Sequence, residues 1–162
     1  MPWGPRSPQW QPMTSRALLA LIAFTLCASA KAQSWGDKLQ GLYLTVDGGG
    51  QVSVYKEADG TFSGKLVWLR EDKARLDTKN PDKARQSDRV WGLVILHGFT
   101  PNDATKRWEG GKIYDPKNGK TYDGFIYFDP EEPGVLRLKG YVLGIKWLGR
   151  ETHWTLEKTL RN

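Results

Sequence analysis

The sequence contains few of the cysteine and histidine side chains that most metal sites and nucleophilic sites need. Its 162 residues include one cysteine and two histidines. A lone cysteine excludes an intramolecular disulfide, and no Cys-x-x-Cys or His-x-x-x-His spacing suggests zinc. We therefore predict no metal and no cofactor, and a fold that is stabilised by its hydrophobic core.

Candidate catalytic groups are scarce too. After residue 33 none of the serines lies in a Gly-x-Ser-x-Gly elbow: they are Ser34, Ser53, Ser63 and Ser87. Either His97 or His153, beside a carboxylate, could serve a hydrolase, but isolated histidines at strand ends are more often surface or packing residues. Asp77, Asn80 and Asp82 have the spacing of a calcium loop without its later glycine and glutamate. We predict no enzymatic activity and no catalytic residues.

Long runs of one charge are also absent. The chain has 24 basic and 18 acidic residues, a formal net charge of +6. The signs alternate, and like charges never extend beyond a pair. This pattern excludes a polybasic nucleic-acid-binding protein.

One long apolar run is present, at the N-terminus. Residues 17–28 carry no charge and follow Arg6 and Arg16. As a helix these twelve residues would span roughly 18 Å, too short for a hydrocarbon core of about 30 Å. A basic segment, a short apolar segment and small residues after it are typical of a cleavable signal peptide. The sequence thus predicts export to the periplasm or the medium, with no stable membrane insertion after cleavage.

The signal peptide is predicted to cover residues 1–32, with cleavage after Ala32 and, as the alternative, after Ala30. Leu26 before Cys27 argues against lipid attachment, and translation could start at Met1 or at Met13. Residues 33–162 then form one domain. It has 21 basic and 18 acidic residues, because three of the basic residues leave with the signal.

Short β-rich runs alternate with turn signals from residue 41 onward. Eight strands are predicted, the last with a break at Gly149: Leu42–Val46, Gln51–Glu57, Thr61–Leu69, Trp91–His97, Arg107–Tyr114, Lys120–Asp129, Val135–Leu143 and Ile145–Leu156. An antiparallel meander of eight strands closes into a barrel that removes its edges and can hold one small ligand. A β-sandwich is the alternative fold.

Three local features qualify this all-β pattern. A short helical turn is predicted for Ser34–Leu39. The connection 71–90 is too long for a plain loop, and Asn80 as N-cap before Pro81 predicts one or two helical turns there, over an end of the barrel. Gly119, which ends the turn after Asp115, is predicted to adopt a positive φ.

Aromatic residues suggest where a ligand could bind. Six tryptophans remain after residue 33, and they could form either the barrel core or the wall of a cavity. By strand alternation, Phe62, Leu66 and Trp68 should share one face. The predicted ligand-binding residues are six aromatic residues for the wall and two arginines for an anionic head group: Tyr43, Trp68, Trp91, Tyr114, Tyr127, Tyr141, Arg85 and Arg89.

The densest motif runs from Trp108 to Tyr122 and reads W-E-G-G-K-I-Y-D-P-K-N-G-K-T-Y. With Asn80-Pro81-Asp82 and Arg85 upstream, it resembles DUF2147, a bacterial family of exported proteins of unknown function. Further matching positions are Gly92, Ile95, Gly98, Phe99, Leu136, Gly140, Gly144, Gly149 and Trp154. The resemblance implies a lipocalin-like β-barrel without an established enzyme activity.

The sequence departs from the family pattern at two places. Gly41-Leu42-Tyr43 replaces the usual G-x-W, and Trp154-Thr155-Leu156 replaces W-T-R. In lipocalin-like barrels that Trp and Arg close the base together, so these departures leave the details of closure open.

Together these observations predict an exported binding protein for a small apolar or amphipathic ligand. The alternatives are an envelope structural or interaction protein with a filled barrel, and a hydrolase. The ligand and the oligomeric state do not follow from the sequence.

Overall fold

The computed structural model describes residues 1, 3–4, 34–142, 145 and 149–162. Residues 33–162 group as one compact unit of the chain. Apart from residues 1, 3 and 4, the predicted signal peptide and its cleavage site lie outside the described residues, as do Leu143, Gly144 and Trp147. In the described part of the chain, no helix has the length and apolar character needed to cross a membrane.

Eight antiparallel strands follow a short 3₁₀ helix, η1, at Trp35–Leu39. A second 3₁₀ turn, η2, covers Lys83–Arg85 between the third and fourth strands. The strands are β1 Gly41–Thr45, β2 Gly50–Lys56, β3 Phe62–Leu69, β4 Val94–Asn102, β5 Arg107–Asp115, β6 Lys120–Phe128, β7 Val135–Tyr141 and β8 Arg150–Glu157.

The strands form one closed barrel in sequence order, which confirms the predicted meander. The last strand pairs with the first, from Leu42 opposite Glu157 to Thr45 opposite Trp154. Closure leaves neither strand with an unpaired edge. Because successive turns alternate between the two ends, η1 lies at one end, and the β1–β2, β3–β4, β5–β6 and β7–β8 connections lie at the other.

The end that carries η1 is closed by aromatic packing. Trp35 stacks on Trp108 with ring centroids 4.4 Å apart. The indole N–H of Trp108 donates to the carbonyl of Gly36 at 3.0 Å. Tyr43 is fully buried and donates its hydroxyl to the carbonyl of Leu39 at 3.0 Å. Tyr43, which stands where the family pattern has Trp, therefore helps to fasten η1 over the base of the barrel.

Two predicted details of β3 and β4 are wrong. The register between β2 and β3 shifts, with Val52 opposite Leu66 but Gln51 opposite Trp68. This bulge turns Trp68 away from the face that Leu66 occupies, because one extra residue inverts the strand alternation. Trp91 precedes β4 instead of beginning it, since Gly92 has a φ of 88° and forms a turn there.

The connection 71–90, here called the strap, runs along the open end beside the β5–β6 turn. It contains one 3₁₀ turn, and its N-cap is Asp82, whose side chain accepts from the amide of Ala84. The predicted N-cap, Asn80, is wrong: its side chain is buried and donates to Asp77 at 2.7 Å. Asn80 therefore fixes the middle of the strap instead of starting a helix.

Gly119 has a φ of 72°, as predicted. A side chain at this position would overlap the carbonyl oxygen of Lys79 in the strap. Glycine is therefore needed here for two reasons, the backbone conformation and the close approach of the strap.

Candidate functional site

A cavity of about 730 Å³ occupies the half of the barrel opposite η1. Its inner wall is mainly aliphatic and includes Leu66, Leu69, Val90, Ile95, Ile113, Leu138 and Trp154. Most of these residues also belong to the packed core, so the cavity continues directly from the core. A volume of this size is typical of sites for drug-sized molecules.

The space arises because the inward side chains become smaller or more polar toward the open end. On β7 the inward series is Leu136, Leu138 and Gly140: the two leucines belong to the core, and Leu138 and Gly140 border the cavity. On β8 the series runs from Trp154 through Thr152 to Arg150. Strand alternation thus places packing residues at one end and leaves room at the other.

An ion pair spans the mouth of the cavity. Lys117 in the β5–β6 turn donates to Asp47 in the β1–β2 turn. Four strands separate these turns around the barrel in either direction, so they lie on opposite sides of the opening. The Lys117 hydrogen bond, helped by the amide of Gly49 and the hydroxyl of Thr45, holds the pKa of Asp47 well below its usual range. The Asp47 carboxylate is therefore ionised at neutral pH, and the pair bridges the entrance.

Four other acids line the cavity, and two of them, Asp115 and Asp72, are held by their own turns. Asp115 accepts from the amide of Lys117 at 2.9 Å and from the Asn118 side chain at 2.8 Å. Asp72 accepts from the amide of Ala74 at 2.7 Å. These carboxylates stabilise local backbone turns and are already hydrogen-bonded.

Three basic residues that line the mouth have no such partners. Arg75, Lys120 and Arg150 form no ion pair with any described residue. Arg75 is half-buried, whereas the other two are exposed. The mouth therefore has basic groups that remain available to a ligand.

Tyr114 ties the strap to the barrel beside this mouth. Its hydroxyl lies 2.8 Å from both carboxylate oxygens of Asp77, which is fully buried. Desolvation, followed by the hydrogen bond and charge of Asp77, raises the pKa of Tyr114 to about 12. This contact, with the Asn80 bond, positions the segment that carries Arg75.

Two of the eight predicted ligand-binding residues, Tyr114 and Tyr141, border the cavity. Tyr43 lies in the closed end, and burial raises its pKa. Tyr127 lies outside the cavity and donates its hydroxyl to Glu151 at 3.1 Å. The structure therefore distributes the predicted tyrosines over three environments.

Trp68 also lies away from the cavity. Its indole N–H donates to the carbonyl of Asn162 at 2.8 Å, and the guanidinium of Arg161 lies 5.4 Å from the ring. The side chain packs against the C-terminal residues on the outside of the barrel. This location follows from the bulge in β3.

Arg85, Arg89 and Trp91 come together, but in a shallower outer pocket of about 460 Å³. Arg85 pairs with Asp88 at 3.2 Å. The indole N–H of Trp91 donates to the carbonyl of Val67 at 2.9 Å, and the side chain is 46% exposed. The two predicted head-group arginines therefore do not line the barrel cavity.

The histidines do not form a catalytic pair in the described part of the chain. His97 lies 3.0 Å from the carbonyl of Val94 in the outer pocket, and His153 lies opposite Arg137 in the sheet. Neither has a carboxylate within ion-pair distance among the described residues. No cluster of three or more metal-ligating side chains occurs in that part either.

Sequence reasoning missed the aliphatic wall and the basic residues of the mouth. Arg150 and Lys120 could have been predicted from the sequence, because strand alternation places each of them on the inward face of its strand. Arg75 had none, because the path of the strap depends on the buried contacts of Asp77. The aliphatic residues of the cavity wall cannot be distinguished from core residues by their sequence pattern.

Comparisons with known proteins agree with the fold. Protein HP1028 from the human pathogen Helicobacter pylori, described as belonging to the lipocalin family, superposes with a TM-score of 0.64 at 22% sequence identity. The match covers 74% of this chain and 83% of that one. At this identity the likeness concerns the fold alone.

No curated protein matches the sequence. Residues 41–156 match the family described as "Uncharacterized protein conserved in bacteria (DUF2147)". This match spans all eight strands of the barrel and includes the motif around Trp108. The chain is therefore a member of the DUF2147 family and has a lipocalin-like β-barrel fold.

Proposed function

We propose that the protein is an exported, non-enzymatic binding protein that holds one small apolar or amphipathic molecule in the open half of its barrel. The observation that supports this most is the cavity of about 730 Å³ with its aliphatic inner wall. Transfer of an apolar group from water to such a wall is favourable in proportion to the area buried.

The filled-barrel alternative does not fit this interior. A structural protein with a solid core would have inward side chains in mutual contact along the whole barrel. Here a cavity of about 730 Å³ separates inward side chains in the half opposite η1. The space that remains opens at the mouth, so a molecule can enter without unfolding the barrel.

A binding role also fits the groups that line the cavity. The cavity-lining residues include two threonines and three tyrosines but no serine, cysteine or histidine. The described lining thus has no nucleophile paired with an imidazole base, which covalent hydrolysis of the serine type requires.

A lipid titration monitored by tryptophan fluorescence tests this proposal. Among the described residues, Trp154 is the tryptophan that lines the cavity, and indole emission reports local polarity. Medium-chain lipids added below micelle formation should change the emission saturably, near one to one. The change should diminish strongly in Trp154→Phe and persist in Trp68→Phe, whose indole lies outside.

A flat titration across fatty acids, lysolipids and isoprenoids would contradict ligand binding and favour the interaction-protein alternative. Native mass spectrometry of protein purified from its own envelope provides a second test, since a bound small molecule should add mass to the chain.

The export part of the proposal has an independent test. N-terminal sequencing of the exported protein should begin at Gln33, or at Lys31 if cleavage follows Ala30. Recovery of the uncleaved apolar run in a membrane fraction would contradict it without affecting the binding proposal.

A further inference from the structure

We propose that the cavity selects a single-chain amphiphile with an anionic head group, a carboxylate or a phosphate, and that Arg75 binds this head. The inference rests on the proposed function and deepens it. It assigns the alkyl chain to the aliphatic interior and the negative charge to the strap side of the mouth.

The proposal depends on the environment of the Arg75 side chain. Arg75 lines the cavity and is half-buried, and its only side-chain hydrogen bond to a described residue is a long one of 3.5 Å to the carbonyl of Pro116. A guanidinium has five N–H donors in a planar fork. Most of these donors have no acceptor among the described residues, and a carboxylate or phosphate can take two of them at once.

No carboxylate of the protein neutralises this group. All 18 acidic residues of the chain lie within the described residues. None of them is within ion-pair distance of Arg75, Lys120 or Arg150. The rest of the chain has no acidic side chain that could serve as an ion-pair partner, so Arg75 can pair with an external anion.

Lys120 and Arg150 are two further basic residues of the mouth. Each is the first residue of its strand and continues an inward series, Tyr122 and Gly124 on β6 and Thr152 and Trp154 on β8. The same lining also carries Lys117 and five carboxylates, so the mouth as a whole has no excess of positive charge. The preference for an anion therefore rests on the guanidinium donors of Arg75 rather than on long-range attraction.

The interior determines the other half of the ligand. Below the mouth the wall is aliphatic, with Leu66, Ile95 and Leu138 among its members, and a charged group there would lose its hydration without compensation. A head group is consequently expected at the level of Arg75, and the chain that follows it must be apolar.

The outer pocket is a weaker place for the head group. There Arg85 already pairs with Asp88. The pocket is shallow and lies outside the barrel, so an alkyl chain held there would not reach the aliphatic wall. The two locations predict different effects of substitution and can be separated.

The test measures affinity by calorimetry for four probes that share a twelve-carbon chain, all below their micelle concentrations. Dodecanoate and dodecyl phosphate carry anionic heads, dodecanol is neutral and dodecyltrimethylammonium is cationic. We expect the two anions to bind about tenfold or more tightly than the alcohol, as expected for one charged hydrogen-bonded contact. The cation should bind more weakly than the alcohol. Comparing the two anions shows which head group the mouth prefers.

Arg75→Gln should bring the affinity for the anions down to that for the alcohol and leave the alcohol unchanged. Arg75→Lys retains a positive charge and should retain part of the preference. The matched control is Arg107→Gln, which removes one arginine at the closed end, where its guanidinium lies over Phe125. A thermal melt of each variant checks that the barrel is intact.

The outcomes separate this inference from the proposed function. If no probe binds, both fail. If all four bind alike, or if Arg75→Gln keeps the preference for anions, the barrel binds ligands but the head-group assignment is wrong. Loss of the preference in Arg85→Gln instead would locate the head group in the outer pocket and overturn the assignment to Arg75.

Discussion

The two halves of the barrel are built from the same eight strands but packed differently. In the half near η1, the core contains Trp108, Phe99 and Phe62, and each of them has at most 1% of its surface exposed. In the other half, aliphatic residues surround a cavity, and ion pairs and turns surround its mouth. Large aromatic residues stabilise the closed half, while the open half keeps a surface for a ligand.

This difference shows why a count of tryptophans does not locate the cavity. Trp35 and Trp108 stack in the closed end, Trp68 and Trp91 lie on the outer surface, and only Trp154 borders both core and cavity among the described tryptophans. Aromatic density therefore marks the packed half of the barrel and its exterior more than the binding surface.

The largest expected difference between the halves comes from two leucines on the same strand. Both are buried, but only Leu138 of the two borders the cavity, whereas Leu136 lies in the closed half. Leu136→Ala should lower the free energy of unfolding by an amount near the top of the range of about 2–5 kcal/mol, because it creates a new void. Leu138→Ala should lie near the bottom, since it only enlarges an existing space. Equal losses in chemical denaturation would mean that the open half is packed like the closed one.

Gly119 tests the contact between the strap and the open half. Gly119→Val should cost about 2–4 kcal/mol from backbone strain and overlap with Lys79. Gly60 is the matched control: its φ of 88° is also positive, but no atom lies near its missing side chain. Gly60→Val should cost less, and equal melting temperatures for the two variants would argue against the close approach of the strap.

Tyr114→Phe removes the hydroxyl that holds Asp77. A buried carboxylate would then keep only its Asn80 side-chain partner, at a cost of about 1–3 kcal/mol. The raised pKa of Tyr114 means that this contribution is complete below pH 10 and is lost as the pH rises through about 12. Thermal melts of wild type and variant should therefore differ by a constant amount up to pH 10. A difference that vanishes near neutral pH would contradict this network.

The smallest stability effect is expected at the ion pair across the mouth. Both side chains are substantially exposed, so Asp47→Asn should change stability by about 1 kcal/mol or less. Its effect should appear in kinetics, as faster association and dissociation of dodecanoate in stopped-flow fluorescence. Lys56 pairs with Asp37 near η1, so Lys56→Gln breaks an ion pair away from the mouth and serves as the control.

The pH dependence of exchange follows from the lowered pKa of Asp47. The ion pair is present above the unfolded-state pKa of 3.8 and is lost only as the pH falls through the lower folded value. Exchange rates of dodecanol, which does not titrate in this range, should thus be constant in the wild type from pH 7 to pH 5 and increase only in stronger acid. An increase already at pH 6 would point to another group.

Local sequence signals predicted the strands and several turns. The alternation of β-rich runs with glycine turns predicted all eight strands of the meander, and the turn after Asp115 predicted the positive φ of Gly119. Such features depend on residues close together in the chain. The bulge that redirects Trp68 did not follow, because it depends on the register between two strands.

The candidate site was less predictable for the same reason. Whether Leu138 touches another side chain or an empty space depends on the sizes of residues on other strands. The position of Arg75 depends on the buried bonds of Asp77 to Tyr114 and Asn80. Long-range packing therefore determines which half of the barrel is open, and no short motif records it.

The most direct test of the account is an NMR titration of the isotope-labelled protein with dodecanoate. The indole N–H signals of Trp154 and Trp108 report the open and the closed half, and the methyl signals of Leu138 and Leu136 do the same on one strand. The account predicts saturable one-to-one shifts at Trp154 and Leu138, with Trp108 and Leu136 nearly unchanged. Shifts spread equally over both halves, or no saturable shifts at all, would contradict it.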